Sequence, residues 1–212
     1  MSLDWLEDNR DAVLRALAEH AEITLLALVL GGVVAFPVGL LAFRWRRAYP
    51  PILVATEVLY TIPSLALFVL LLDVFGLGRT PVVIGLASYS LVILVRNIVE
   101  GLRGVAPGDS DAATGMGYGP LRRLLTVELP LAVPFVVAGM RSAAVSTISL
   151  VSVGALVGSG GLGQLFIEGF QVDNPTEVWA GIVLTIAFAL TVDAAIVALG
   201  RILTPWTRPV AA

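Results

Sequence analysis

Five stretches of the chain are apolar almost without interruption, at residues 23–43, 51–72, 82–95 or slightly beyond, 131–157 and 178–203, and polar or Gly- and Pro-rich segments separate them. An α-helix rises about 1.5 Å per residue, so roughly 20 apolar residues cross the ~30 Å hydrocarbon core of a bilayer. The pattern predicts an all-α membrane protein with about five transmembrane helices. Composition agrees, since 58% of the residues are hydrophobic and 14% charged, against about 45–50% and about 25% in soluble domains.

What is missing narrows the chemistry. There is no Cys and a single histidine, His20, which excludes disulfides, thiol catalysis and clustered metal ligands of those types. All 13 basic residues are Arg. Without Lys the chain cannot bind a nucleotide through a P-loop or form a Schiff base. No metal, no cofactor and no nucleic-acid partner are expected. An intramembrane hydrolase, the rival from another class, needs a nucleophile with a base or a metal cluster, and no apolar run holds either.

Charges are placed unevenly. Residues 1–22 carry six acids against Arg10 and Arg15, with no basic segment or small-residue cleavage site ahead of the first run, so no cleaved signal peptide is expected. Leu3, Leu6, Val13, Leu14 and Leu17 fall at helical spacing, which predicts a short amphipathic helix on the membrane surface over this lead-in. Pro63, in Tyr60-Thr61-Ile62-Pro63-Ser64, should kink the second helix because it cannot donate a backbone hydrogen bond. The fourth run is rich in Ala, Gly and Ser, which predicts a helix buried among its neighbours.

Between the third and fourth runs, residues 96–128 are too polar to cross a bilayer and read as an aqueous loop of about 30 residues, longer than ordinary helix connections. With this loop inside the cell, Arg44, Arg46, Arg47, Arg96, Arg103, Arg122, Arg123, Arg201 and Arg208 are cytoplasmic, and only Arg10, Arg15 and Arg79 are outside. The positive-inside rule therefore predicts the N-terminus out and the C-terminus in. The resulting division is an extracytoplasmic lead-in at 1–22, a transmembrane domain at 23–205 with a cytoplasmic loop at 99–130, and a cytoplasmic tail at 206–212.

Inside that loop Pro107 and Ser110 can start a short helix with an Ala-rich, nearly flat face, and Gly115, Gly117 and Gly119 can end it. Pro120 can start a second helix that returns to the membrane at Pro130. Asp111-Ala112-Ala113, Gly117, Val127 and Leu129-Pro130 together read D-A-A-x3-G-x9-V-x-L-P. This pattern resembles the EAA loop of permease subunits of binding-protein-dependent ABC importers with the type I, methionine-permease-like fold, Asp111 standing for the usual Glu and Val127 for the usual Ile. The resemblance implies that Asp111, Ala112, Ala113, Gly117, Val127, Leu129 and Pro130 form the coupling helix that docks on a cytoplasmic ATPase subunit. It also implies a second permease subunit, copy or paralogue, an extracytoplasmic substrate-binding protein, and a multi-pass place in a prokaryotic cell membrane.

Tyr60-Thr61-Ile62-Pro63-Ser64-Leu65-Ala66-Leu67-Phe68, residues 154–163 (GALVGSGGLG) and Leu203-Thr204-Pro205-Trp206-Thr207-Arg208 are similar to the osmoprotectant branch of that family. That likeness implies import of glycine betaine, carnitine, choline or proline by ATP-driven alternating access; a similar Gly-rich segment in methionine permeases keeps another small solute as the alternative. The same Gly-rich segment satisfies G-x-G-x-x-G, but an apolar helix precedes it where a dinucleotide fold needs a strand. Read instead as a turn at the outer end of helix four, it makes Gly160, Gly161, Phe166, Glu168 and Asp173 candidate contacts for the substrate-binding protein.

Ionisable residues within apolar runs are costly unless paired or turned to a polar cavity. Counting inward from the cytoplasmic ends places Arg141 and Asp193 at similar depth, about 15 Å in. They are the candidate intramembrane ion pair. Glu57 and Arg96 fall nearer the inner surface, Arg96 as a snorkelling side chain. Glu57, Tyr60 and Pro63, with Ser142, Ser146 and Ser149 along one face of helix four, are candidates for a translocation path or gate. Hydrogen bonding between helices is an equal reading of the serines.

Overall fold

A computed structural model describes residues 3–207; Arg208 and the rest of the tail lie outside the described residues, as do the side chains of Leu3 and Leu6. The described residues are helical almost throughout. In order these are α1 (Leu3–Asp8), α2 (Arg10–Arg44), α3 (Tyr49–Thr61), α4 (Ser64–Phe75), α5 (Arg79–Arg103), α6 (Pro107–Gly115), α7 (Pro120–Arg123), α8 (Leu129–Val151), α9 (Gly163–Gln171) and α10 (Pro175–Leu203). Helices α7 and α8 are joined without a break by a π-helical turn at Leu124–Glu128, and a 3₁₀ turn at Ser152–Val157 extends α8.

Four helical stretches are long and apolar enough to cross a membrane, and the bent pair α3–α4 makes a fifth span if counted as one. With 13 and 12 residues, neither α3 nor α4 reaches across alone, being only about 20 Å long. The expected kink at Pro63 is a full break: the two helices meet at 94°. Proline excludes the α region for the residue before it, and Ile62 is accordingly extended, at φ −65° and ψ 128°. The break leaves the Ile62 carbonyl without a helical partner, and the Tyr89 hydroxyl of α5 donates to it. In lipid such a carbonyl has no water to turn to, so the tyrosine holds the bend.

Every fourth residue of α2 on one face is small, and Ala27, Gly31, Ala35 and Gly39 are all buried. That face lies against α5. A Cβ on Gly31 would come within 3.1 Å of the Ala87 carbonyl oxygen, and one on Gly39 within 2.7 Å of Ile98. Small residues allow this approach, and dispersion over the whole helix length rewards it. Helix α5 is the centre of the bundle, with α2, α3, α4 and α8 packed around it. One core joins Leu28, Ala35, Leu94, Val95, Ile98, Leu102, Ala132, Ala143 and Ala144; a second, nearer the α2 start, joins Ile23, Ala27, Phe68, Val82, Leu86 and Val151.

Several expectations need correction. The lead-in is not a separate surface helix: from Arg10 it is continuous with the first span in a helix of 35 residues. Its Val13 packs on Leu162 and Leu165, so its apolar face is used by the protein itself. Helix α5 runs through Arg103, so the polar loop begins at Gly104 and not at residue 96 or 99. Arg96 does not merely snorkel, because its Nε donates to Glu100 Oε1 at 2.9 Å, one turn on. The polar stretch before the last span contains a helix, α9, and the last span starts at Pro175.

The fourth run is also not buried on all sides among its neighbours. Its residues Ala132, Gly139, Ala143, Ala144 and Thr147 are buried against neighbours, while Ala138, Arg141, Ser142, Val145 and Ser149 on the opposite face are exposed in the single chain. Its small residues are spread over both faces; α2 and α5 cover one, and α10 covers the other only in part.

Candidate coupling surface and translocation face

The short helix α6 starts where the sequence places its proline, with Ala106 extended and Pro107 in the first turn. It ends through glycine: Gly117 takes φ +83°, and the Gly117 and Tyr118 amides return to the Thr114 and Ala113 carbonyls. Ala113 faces inward and is buried, whereas Asp111, Ala112 and Met116 face out. The outward surface around Ala112 is low, and its only charged side chains on α6 are the exposed Asp109 and Asp111, which suits docking into a cleft.

What holds α6 in place is a residue absent from the motif reading. Glu128, 5% exposed, sits in the π-helical turn. One of its oxygens accepts a hydrogen bond from Ser110 Oγ at 3.3 Å and lies 2.8 Å from Arg123 Nε. Arg123 Nη1 in turn donates to Thr114 Oγ1 at 3.1 Å. One carboxylate thus ties α6 to α7 and to the root of α8. The signal was available, because an acid just before Leu129-Pro130 at the membrane edge needs a partner.

The π turn follows from Pro130. Proline supplies no amide and crowds the carbonyl four residues earlier, and the Leu129 amide instead reaches back five residues to the Leu124 carbonyl. Val127, Leu129 and Pro130 line this turn, half-buried. They act as its packing rather than as an outward surface. Arg122 stacks over the Tyr118 ring at 4.1 Å and closes the other side.

The structure brings Arg141 and Asp193 together. Nε of Arg141 donates to Oδ1 at 2.7 Å and Nη2 to Oδ2 at 2.9 Å, a two-pronged pair between α8 and α10. Both side chains keep surface, 46% for Arg141 and 26% for Asp193. Ser142 and Ser149 are exposed on the same face of α8 and Ser146 is half-buried; Ser142 Oγ donates to the Ala138 carbonyl. Ser149 lines a groove with Ser152, Phe166 and Thr185. Glu57, Tyr60 and Pro63 lie on the exposed side of the α3–α4 break, with Tyr60 edge-on to Tyr89 at 5.4 Å. They are not joined to the α8 serines within the chain by any described hydrogen bond.

Of the candidate contacts near α9, Glu168 and Asp173 are exposed, and Phe166 is packed against Gly181. Gly160 and Gly161 are buried, which removes them from any contact surface. Gly161, at φ +50°, lets the turn press on α2: a Cβ there would lie 2.6 Å from the His20 backbone. His20 itself is fully buried, with Nε2 at 3.1 Å from the Ile148 carbonyl and its ring edge-on to Phe188. This histidine, noted in the sequence only for its rarity, joins the lead-in, α8 and α10 beneath the glycine turn.

Comparison with known proteins agrees with this architecture. Residues 27–209 match the family model described as binding-protein-dependent transport system inner membrane component. The choline transport system permease protein OpuBB of Bacillus subtilis is 30% identical over 203 residues, 96% of this chain and 94% of that one. The osmoprotectant import permease protein OsmW of Salmonella typhimurium is 32% identical, over 96% of this chain and 97% of that one. An inward-facing structure of the MetNI methionine ABC transporter superposes with a TM-score of 0.83 over 96% of this chain and 100% of that one; at 23% identity it is a likeness of fold. With a match that runs from the middle of α2 past the end of α10, the chain belongs to the family of binding-protein-dependent transport system inner membrane components.

Proposed function

We propose that this chain is the permease of an ABC importer for a quaternary-amine or zwitterionic osmoprotectant: glycine betaine, carnitine, choline or proline. As a member of its family it works in the cell membrane beside ATPase subunits and a substrate-binding protein, and hydrolyses nothing itself. The substrate reading is carried by the relatives, which include a choline permease and an osmoprotectant permease that align with almost the whole chain. Methionine enters through a likeness of fold.

In this reading α6 is the coupling helix. Its outward Ala112 and Asp111 seat in the ATPase, and the Glu128 knot passes the movement to α8 through the π turn. A second permease subunit covers the exposed face of α8 and α10. The supporting argument is electrostatic: a half-exposed ion pair in a membrane span needs protein or a water-filled path around it. Two subunits rocking about that face would expose the path alternately to each side. Glu168 and Asp173, outside the helix bundle at the opposite end from α6, receive the substrate-binding protein.

The test is uptake by the complete system, expressed in cells without other osmolyte importers. Labelled choline, glycine betaine, carnitine, proline and methionine are supplied in turn. Accumulation of at least one of the first four, and none of methionine, is expected. Accumulation of methionine alone would overturn the substrate reading while leaving the permease assignment intact.

A further inference from the structure

A groove of about 870 Å³ opens between the end of α2 and the α7–α8 junction. Pro37, Leu40, Leu41 and Phe43 of α2 form one wall and Leu121 and Leu124 the other. Its mouth carries Arg44 and Arg46, with Arg47 adjoining. These three arginines are exposed, and none of them takes part in any of the four salt bridges among the described residues. The one basic residue in the wall, Arg123, is neutralised by Glu128. Beside them Trp45 is 60% exposed at the end of an apolar span, the usual place of a tryptophan at a membrane interface.

We infer that this groove is a binding site for one anionic phospholipid, with its phosphate at Arg44, Arg46 and Arg47 and an acyl chain along Leu40, Leu41, Leu121 and Leu124. Charge and depth both select that occupant. The mouth has three positive charges without partners, which a zwitterionic lipid compensates poorly. The floor is continuous with the apolar run of α2, so its deep part lies at the level of the hydrocarbon. A water-soluble subunit docking from the aqueous side would cover the arginines and leave Leu40 and Pro37 without contact. A lipid fills both, as pockets that join an apolar body to a few polar groups do. It would also lie between α2 and the segment that carries Arg123, bracing the junction on which α6 is mounted.

Native mass spectrometry of the intact transporter, released from neutral detergent after titration with phosphatidylglycerol or phosphatidylcholine, tests the site. Juxtamembrane arginines contribute about 1 kcal/mol each toward anionic lipid, or about fivefold per residue. Retention of phosphatidylglycerol over phosphatidylcholine is therefore expected, and the triple variant R44Q/R46Q/R47Q should lose affinity for phosphatidylglycerol on the order of 100-fold. The triple lysine variant should keep the preference. Leu121→Trp, at a residue 69% exposed and so free to accept the larger ring, should fill the groove and weaken phosphatidylglycerol with all arginines in place. R10Q/R15Q, at the far end of α2, should change nothing. Equal retention of the two lipids, or an unaltered glutamine variant, would overturn the site. Binding to the permease alone but not to the complex with its ATPase would also overturn it, by giving the groove to the ATPase.

Discussion

Arg141 and Asp193 show how a single pair can decide the environment of a whole helix face. A buried pair would need no further cover, but this one is two-pronged and still leaves 46% of the arginine side chain open in the single chain. Arg141→Ala leaves an unpaired carboxylate in a membrane span, and Asp193→Ala leaves an unpaired guanidinium. Each single variant should lower uptake and shorten survival in detergent. The double alanine variant should recover part of the loss, because it removes both charges together. A thermal-unfolding and uptake cycle measures this; purely additive single effects would mean that the pair does not act as a unit. The sequence showed this contact through matched depth and opposite sign. It could not show the exposure, which depends on how α10 lies over α8.

At the scale of elements, α6 was legible almost residue by residue. Proline at its first turn, a run of small residues and glycine at its end are local signals, and local signals survive without knowledge of the rest of the fold. The span boundaries were less legible. Arg96 looks like the end of an apolar run, yet α5 continues for seven further residues to Arg103 because its opposite face, Ile98, Val99 and Leu102, has the core to pack against. Gly160 and Gly161 read as a contact surface for the same reason in reverse, since the residue that Gly161 packs on, His20, is 141 residues away in sequence. The Glu128 knot depends on three elements and has no sequence period at all.

The legible part carries its own prediction. Ala112 is exposed, so Ala112→Asp adds charge to the outer face of α6 without disturbing the bundle. Gly117→Val forces a β-branched residue to φ +83° and should misplace the end of α6. Both variants should insert into the membrane normally and fail to transport, with less ATPase co-purifying. Normal uptake by an inserted A112D/G117V protein would refute coupling through α6. Glu128→Ala acts differently: it leaves the outer face intact but unties its mounting. ATPase should then still co-purify, with uptake reduced.

For the whole molecule, the chain path and the arginines make one joint statement about sidedness. The Glu22–Arg79 ion pair, 2.6 Å, places the start of the apolar part of α2 and the start of α5 at the same end of the bundle. Since α2 and α5 run the same way, Arg44–Arg47 and α6 share the other end, and α10 finishes there too, at Leu203. Sidedness is thus a single choice for all of them, and the arginine excess predicts the cytoplasm for the α6 end. A cysteine-free chain makes the test direct. Asp109→Cys, exposed on α6, should react with a membrane-impermeant maleimide only after the membrane is opened. Val172→Cys, 67% exposed beyond α9, should react on intact spheroplasts. Labelling of both from one side would contradict the chain path. The reverse pattern would keep the fold but turn it over in the membrane, placing α6 where no cytoplasmic ATPase could reach it, and the coupling assignment would fall with the orientation.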